Sequence, residues 1–177
     1  MRQVAVTTTY LEMTSPEQLR RAPATVAGWA VRQAEIPSPE LNRFLYAAVG
    51  GNWYWTDRLP WTYEQWLGYL DRPTLQTWVG YLQGTPVGYF ELDKGTDDSV
   101  ELAYFGLLPQ FIGRGLGGPL LSAAIERAWA FGAGRVWVHT CTLDAPAALN
   151  NYQARGFRIY RQRTDTRALP ETLPGPW

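Results

Sequence analysis

The chain has 177 residues, 16 basic against 16 acidic side chains, one cysteine and one histidine, which is about one domain of sequence with no net charge. Zero net charge excludes a protein that holds nucleic acid or a membrane surface by neutralising phosphates. A single Cys141 and a single His139 exclude an internal disulfide and a thiolate-rich metal site. The first residues lack the apolar core of a signal peptide, and the longest uncharged stretch, Pro73–Phe90, contains Gln, Thr, Pro and Gly. The expected setting is therefore cytoplasmic and reducing.

In chain order, Gln3–Thr9 alternates Val and Ala with polar residues and is expected to be a strand. Ser15-Pro16-Glu17 predicts a helix start, with Pro23 as its end. Trp29–Ile36 is ambiguous, with a weak two-residue alternation. Ser38-Pro39-Glu40 predicts a helix to about Val49, stopped by Gly50-Gly51. Thr62 with Gln65 is a capping box for a helix to about Asp71. The period then shortens. Thr74–Leu82 and Val87–Leu92 flank a Gln-Gly-Thr-Pro turn as a hairpin, and Val100–Leu108 follows as a further strand. Leu120 to Phe131 has helical spacing. Arg135–Cys141 is a nearly continuous apolar strand, as expected when both faces are covered. Asp144 is expected to cap a last helix, Ala145–Arg155, before a final strand, Phe157–Arg163. These elements predict one α/β (α+β) domain over residues 1–163. Its mixed sheet would have about six or seven strands flanked by helices. Residues 164–177, with three prolines, are expected to be a loosely held tail.

The chemistry is concentrated after Val100–Leu108, the fourth strand with the ambiguous Trp29–Ile36 set aside. Pro109 to Gly118 carries glycine at 113, 115, 117 and 118 and runs directly into a helix. Glycine lets the backbone curl and approach a ligand closely, and the first free amides and dipole of a helix favour an anion. A phosphate-bearing ligand is expected. No Gly-Lys-Ser/Thr follows, so a P-loop is excluded, and no acidic residue ends the next strand as a dinucleotide fold requires.

Ile112-Gly113-Arg114-Gly115-Leu116-Gly117, at a strand-to-helix junction, resembles the cofactor loop of the GNAT superfamily of N-acetyltransferases, Arg/Gln-x-x-Gly-x-Gly/Ala. Ile112 departs from that pattern at its first position. Downstream, Tyr152 precedes Gly156-Phe157 by four residues, as in the family's closing helix, although Ala145 stands where the family usually has Asn. The two motifs span about a third of the chain.

The resemblance implies a sheet splayed between the fourth strand and the fifth, Arg135–Cys141, with acetyl-CoA as co-substrate bound through Leu107, Ile112, Gly113, Arg114, Gly115, Leu116, Gly117 and Gly118. It implies direct transfer to an amine of a small molecule or peptide. Tyr152 would be the general acid for the leaving thiolate; the alternative is a tyrosine merely packed on the sheet. Glu101, 14 residues ahead of Gly115, would be the base, or else a strand carboxylate paired with an arginine. His139 is either a proton relay or a satisfied sheet histidine, and Cys141 either a nucleophile or a buried strand residue. Asp97-Asp98 is expected to be a solvated turn. The aromatic run from Trp53 to Tyr69, with Trp53, Trp55 and Trp61 foremost, would build an acceptor pocket, pack a core or form a dimer contact. A binding module that holds an acyl-CoA without turnover is the alternative to an enzyme.

Overall fold

The structure is a computed structural model and describes residues 1–175. Seven strands form one sheet: β1 (Arg2–Met13), β2 (Trp29–Ala34), β3 (Leu75–Leu82), β4 (Thr85–Lys94), β5 (Ser99–Leu107), β6 (Arg135–Cys141) and β7 (Arg158–Leu169). Their order is β2-β3-β4-β5-β6-β1-β7, and only β5 and β6 run parallel. Parallel neighbours need a crossover, and α3 (Gly117–Ala130) supplies it. The other helices are α1 (Pro39–Gly50), α2 (Tyr63–Leu70) and α4 (Ala148–Ala154). No described helix is long and apolar enough to cross a membrane.

Local chemistry explains most of these elements. Ser38 caps α1 at the Leu41 amide, and Thr62 and Gln65 form the expected capping box of α2. The β3–β4 hairpin turns on Gln83 and Gly84, both at positive φ, which matches the right-handed twist of the strands.

The structure also corrects the sequence reading. Trp29–Ala34 is a strand because it pairs with β3 along its whole length. The Pro16 start gives only a three-residue 3₁₀ turn. The last helix begins at Ala148 without a side-chain cap. Asp144 instead accepts bonds from the Thr140 hydroxyl and the Cys141 amide, holding the turn after β6. Thr164–Leu169 is not part of a loose tail, because it continues β7 and pairs with Arg2–Thr7. Of the remaining tail, Pro176 and Trp177 lie outside the described residues.

Helices cover the sheet on both faces. Leu120, Leu121, Ala124, Ile125 and Ala128 of α3 pack on Phe90, Leu92, Val100, Leu102, Val136 and Val138. On the opposite face, Leu45 and Val49 of α1 pack on Val79 and Tyr89. Side chains alternate along a strand, so Tyr89, Glu91 and Asp93 belong to the α1/α2 face, as do Glu101, Trp137, His139 and Cys141.

The split is built at β5. Its register with β4 slips where Glu91 faces Tyr104 and Leu92 faces Leu102, leaving Ala103 as a bulge. A bulge bends its strand. Beyond Glu101, β5 has no partner in β6: only Ser99–Glu101 pair with Arg135–Trp137. The implied splay is present, between β5 and β6 once β2 is counted.

Five tyrosines sit in this interior with raised pKa values: Tyr46, Tyr69, Tyr89, Tyr104 and Tyr152, each mainly because burial disfavours the phenolate. Their folded-state pKa lies above the unfolded value of about 10. The stability they contribute is therefore complete below about pH 10 and lost as pH rises through the folded values. We expect the urea midpoint to hold up to about pH 10 and to fall progressively above it; a midpoint unchanged above that pH would contradict the burial of these phenols.

Candidate active site at the split between two strands

The loop after β5 is an open cradle. Pro109–Phe111 makes a 3₁₀ turn, and Phe111 and Leu116 anchor the loop against Val87. Gly113 and Gly115 have φ of 81° and 75°, and a Cβ on either would meet nothing within 4 Å. These two positions need glycine for backbone conformation and leave the loop's surface bare. Gly118 differs: its Cβ would lie 2.5 Å from Arg155 Nη1 and 2.8 Å from Ala22 Cβ, so it serves packing. The Asn151 amide donates to the Gly117 carbonyl at 3.2 Å, pinning α4 to the loop.

Helix α3 starts at Gly117 with no side-chain cap, and Pro119 occupies its first turn. Among the described residues, the amides of Gly113 to Gly118 donate to no acceptor. Free amides at a positive helix end suit a diphosphate, so these residues fit the group that the sequence implies. Ile112, 50% exposed, brings no polar group, and binding there rests on main chain. Arg114 is exposed and stacks on Phe111 at 5.3 Å; it does not line the cavity beside the loop.

That cavity, of about 600 Å³, runs through the split. It brings together Glu101, Leu107, Ile112, Gly113, Gly115, Leu116, Gly117, Gly118, His139 and Tyr152, with Trp53 and Trp55 on its far wall. Tyr152 packs against Phe105 and Phe157 on the α3/α4 face. Burial, with the Asp144 charge adding to it, pushes its phenol well above the ordinary value, so the hydroxyl stays protonated. Glu101 lies on the opposite face. Its partner is His139, with Oε1 3.3 Å from Nδ1, and not an arginine. The imidazole is held by Tyr10 and Trp137, at ring distances of 5.8 and 6.1 Å. Tyr152 and the Glu101–His139 pair thus occupy opposite faces of one opening.

Cys141 lines the cavity, but burial and then Asp144 raise its thiol pKa, which disfavours the thiolate a nucleophile needs. Asp97 accepts from the Ser99 amide and hydroxyl in a turn, away from the cavity.

The aromatic run divides. Trp53 and Trp55 line the cavity, whereas Trp61 does not. Trp61 meets Trp66 and Tyr69 edge-on, with ring centres 5.1 and 5.5 Å apart. These rings enclose Arg58, whose guanidinium carbon lies 3.9 Å from the Tyr69 ring centre and 4.2 Å from that of Tyr104. Arg58 donates to Glu91 at 2.9 Å; Tyr69 and Asn42 donate to the same fully buried carboxylate at 2.9 and 3.0 Å. Sequence reasoning missed this network and the Glu101–His139 pair. No local signal marks Arg58 and Glu91 as partners, since they lie 33 residues apart. The shared face of Glu101 and His139 could be reached only through the parallel register.

A glycine-rich loop thus opens α3 beside a split parallel pair on a mixed sheet, with the buried Tyr152 in the opening. Residues 31–157 match the family model of the GNAT acetyltransferases, and the chain belongs to that family. Solved structures agree at the level of fold. A GCN5-related N-acetyltransferase from Kribbella flavida is 21% identical with a TM-score of 0.64, the match covering 89% of this chain and 56% of that one. One from Sphaerobacter thermophilus is 16% identical with a TM-score of 0.68, covering 97% and 55%. The ribosomal-protein-S18-alanine N-acetyltransferase from Escherichia coli is 15% identical with a TM-score of 0.56, covering 73% and 77%. The chain therefore spans little more than half the length of the first two. No curated protein matches by sequence.

Proposed function

We propose that the chain is an N-acetyltransferase that moves an acetyl group from acetyl-CoA directly to an amine of a small molecule or peptide, within a ternary complex. The observation that carries this reading is the placement of Tyr152 and the glycine cradle on one face of the split and of Glu101–His139 on the other. Acetyl-CoA would supply an activated acyl carbon on a thiol leaving group. The amides of Gly113 to Gly118 would hold its diphosphate. Main-chain amides of β5 beyond Glu101, freed from β6, would polarise the carbonyl. The Glu101–His139 pair would take the proton from the attacking nitrogen as its C–N bond forms. As the C–S bond breaks, the Tyr152 hydroxyl would give its proton to sulfur. The half-buried Cys141, with its raised thiol pKa, supports direct transfer over an acyl-enzyme route.

The test is thiol release from acetyl-CoA across an amine panel. Release that depends on the amine is expected. Stabilisation by CoA with no release for any amine would favour an acyl-CoA binding module instead, and no effect of CoA at all would contradict both readings.

A further inference from the structure

The Arg58–Glu91 network reaches the cavity with part of its hydrogen-bonding capacity unused. The Arg58 side chain is only 9% exposed, yet it lines the cavity together with Tyr69 and Tyr104. Its Nη1 donates to Glu91 at 2.9 Å, while Nε and Nη2 donate to no acceptor among the described residues. Neither is sealed inside the protein: the buried side-chain polar atoms without a partner are Trp66 Nε1, Tyr89 Oη, Trp129 Nε1 and Arg155 Nε. Nε and Nη2 form one edge of the planar guanidinium. That edge is held in place, since the ring centres of Tyr69 and Tyr104 lie 3.9 and 4.2 Å from the central carbon. Glu91 is held in turn by Tyr69 and Asn42. Donors fixed in advance lose little freedom when a ligand arrives.

Charge does not select that ligand. Glu91 matches Arg58, Arg72 matches Asp93, and Asp57 is offset by Arg167, which lines the same cavity without an ion pair among the described residues. A carboxylate on Arg58 would set a second anion beside Glu91 around one nearly buried cation, at a high desolvation cost. A hydroxyl would bring a proton that needs an acceptor of its own, and Glu91 already accepts from three donors. A carbonyl oxygen has two lone pairs and no proton, which matches two free N–H groups. It would lie away from the chemistry: Glu91 faces Tyr104, three residues along β5 from Glu101, about 10 Å at roughly 3.3 Å per residue.

We propose that Arg58 sets acceptor specificity, its free Nε–Nη2 edge receiving an amide carbonyl of the acceptor several bonds from the nitrogen that reacts at Glu101 and His139. The inference deepens the acetyltransferase reading and rests on it for the chemical step. The ammonium gives its proton to that pair, its nitrogen bonds the acyl carbon, and the thiolate leaves with the Tyr152 proton. The amide is unchanged throughout.

The experiment compares ω-amino amides, primary and N-methylated as in a peptide, with alkylamines, ω-amino alcohols and ω-amino acids over a series of chain lengths. It uses the native chain, Arg58→Lys and Arg58→Met/Glu91→Gln. Arg58→Lys keeps a cation for Glu91 without the fork, and the double variant leaves no buried charge unpaired. An amino amide is expected to exceed the matched alkylamine by about tenfold or more in kcat/KM, mainly through KM. Use of either amide supports the inference, and use of the N-methyl amide points to a peptide. The ratio of amide to alkylamine should fall in Arg58→Lys and approach one in the double variant. A residue that only braced the wall would lower both substrates together and leave the ratio intact, which would overturn the inference. So would a native ratio near one, or alcohols or acids used as well as the amide. A second measurement needs no variant to fold and no turnover. In the CoA-loaded native protein, the Arg58 Nε–H resonance should shift with the amino amide and hold still with the alkylamine. If no amine is turned over, the catalytic reading fails and this resonance decides the inference separately; a shift with neither compound, or an equal shift with both, overturns it.

Discussion

Tyr152→Phe is expected to lower kcat by about 10²-fold or more while CoA affinity stays within about threefold of native. The ring would keep its packing on Phe105 and Phe157, since only the hydroxyl is removed. The hydroxyl's surroundings make the outcome diagnostic. Burial keeps the phenol protonated across the working range, so its loss removes a donor and not a charge. A solvent proton would replace it poorly, because Tyr152 is buried. The deficit should shrink with acyl donors whose thiol is a better leaving group, because such a thiolate needs less protonation. Full activity in Tyr152→Phe would move the proton donor to water and leave Tyr152 a packing residue.

Gly115→Glu is expected to abolish CoA binding in a chain that remains folded. At φ of 75° any side chain costs about 1 kcal/mol of backbone strain, well within the stability of an ordinary domain. No neighbour obstructs the new side chain, since a Cβ there meets nothing within 4 Å. The fold should therefore survive, and what suffers is the cradle, which gains bulk and a negative charge where an anion is to sit. Gly115→Ala carries the same strain without the charge. It should retain most of the thermal stabilisation that CoA gives the native chain, whereas Gly115→Glu should show none. Equal stabilisation of all three would remove the loop from the binding site. Loss in both variants would assign the effect to strain.

What the sequence made legible followed the range of its signals. Capping residues and the i, i+3, i+4 spacing of Leu45, Val49 and their neighbours are local, so α1, α2 and α3 were readable to within three residues. The cradle was readable because glycine, proline and helix onset fall within ten residues. The errors lay where pairing overrides local propensity. Thr164–Leu169 has a polar, exposed sequence and is a strand only because β1 runs beside it. Trp29–Ala34 is a strand only because β3 does. Asp144 looked like a helix cap, but its carboxylate turns back to Thr140 and Cys141. The base candidate was readable as Glu101, whereas its partner was not, since the choice between arginine and His139 depended on which strand lies alongside. Arg58 and Glu91 were invisible for the same reason, with the addition that the rings around Arg58 read equally well as core or pocket.

Backbone amide resonances followed during a CoA titration show whether the main chain from Gly113 to Gly118 grips a diphosphate at the mouth of the β5–β6 split. The amides of Gly113 to Gly118 are expected to move furthest, and to stay nearly still when pantetheine, which lacks the diphosphate, replaces CoA. Loop amides that remain in place while resonances elsewhere shift would contradict that grip.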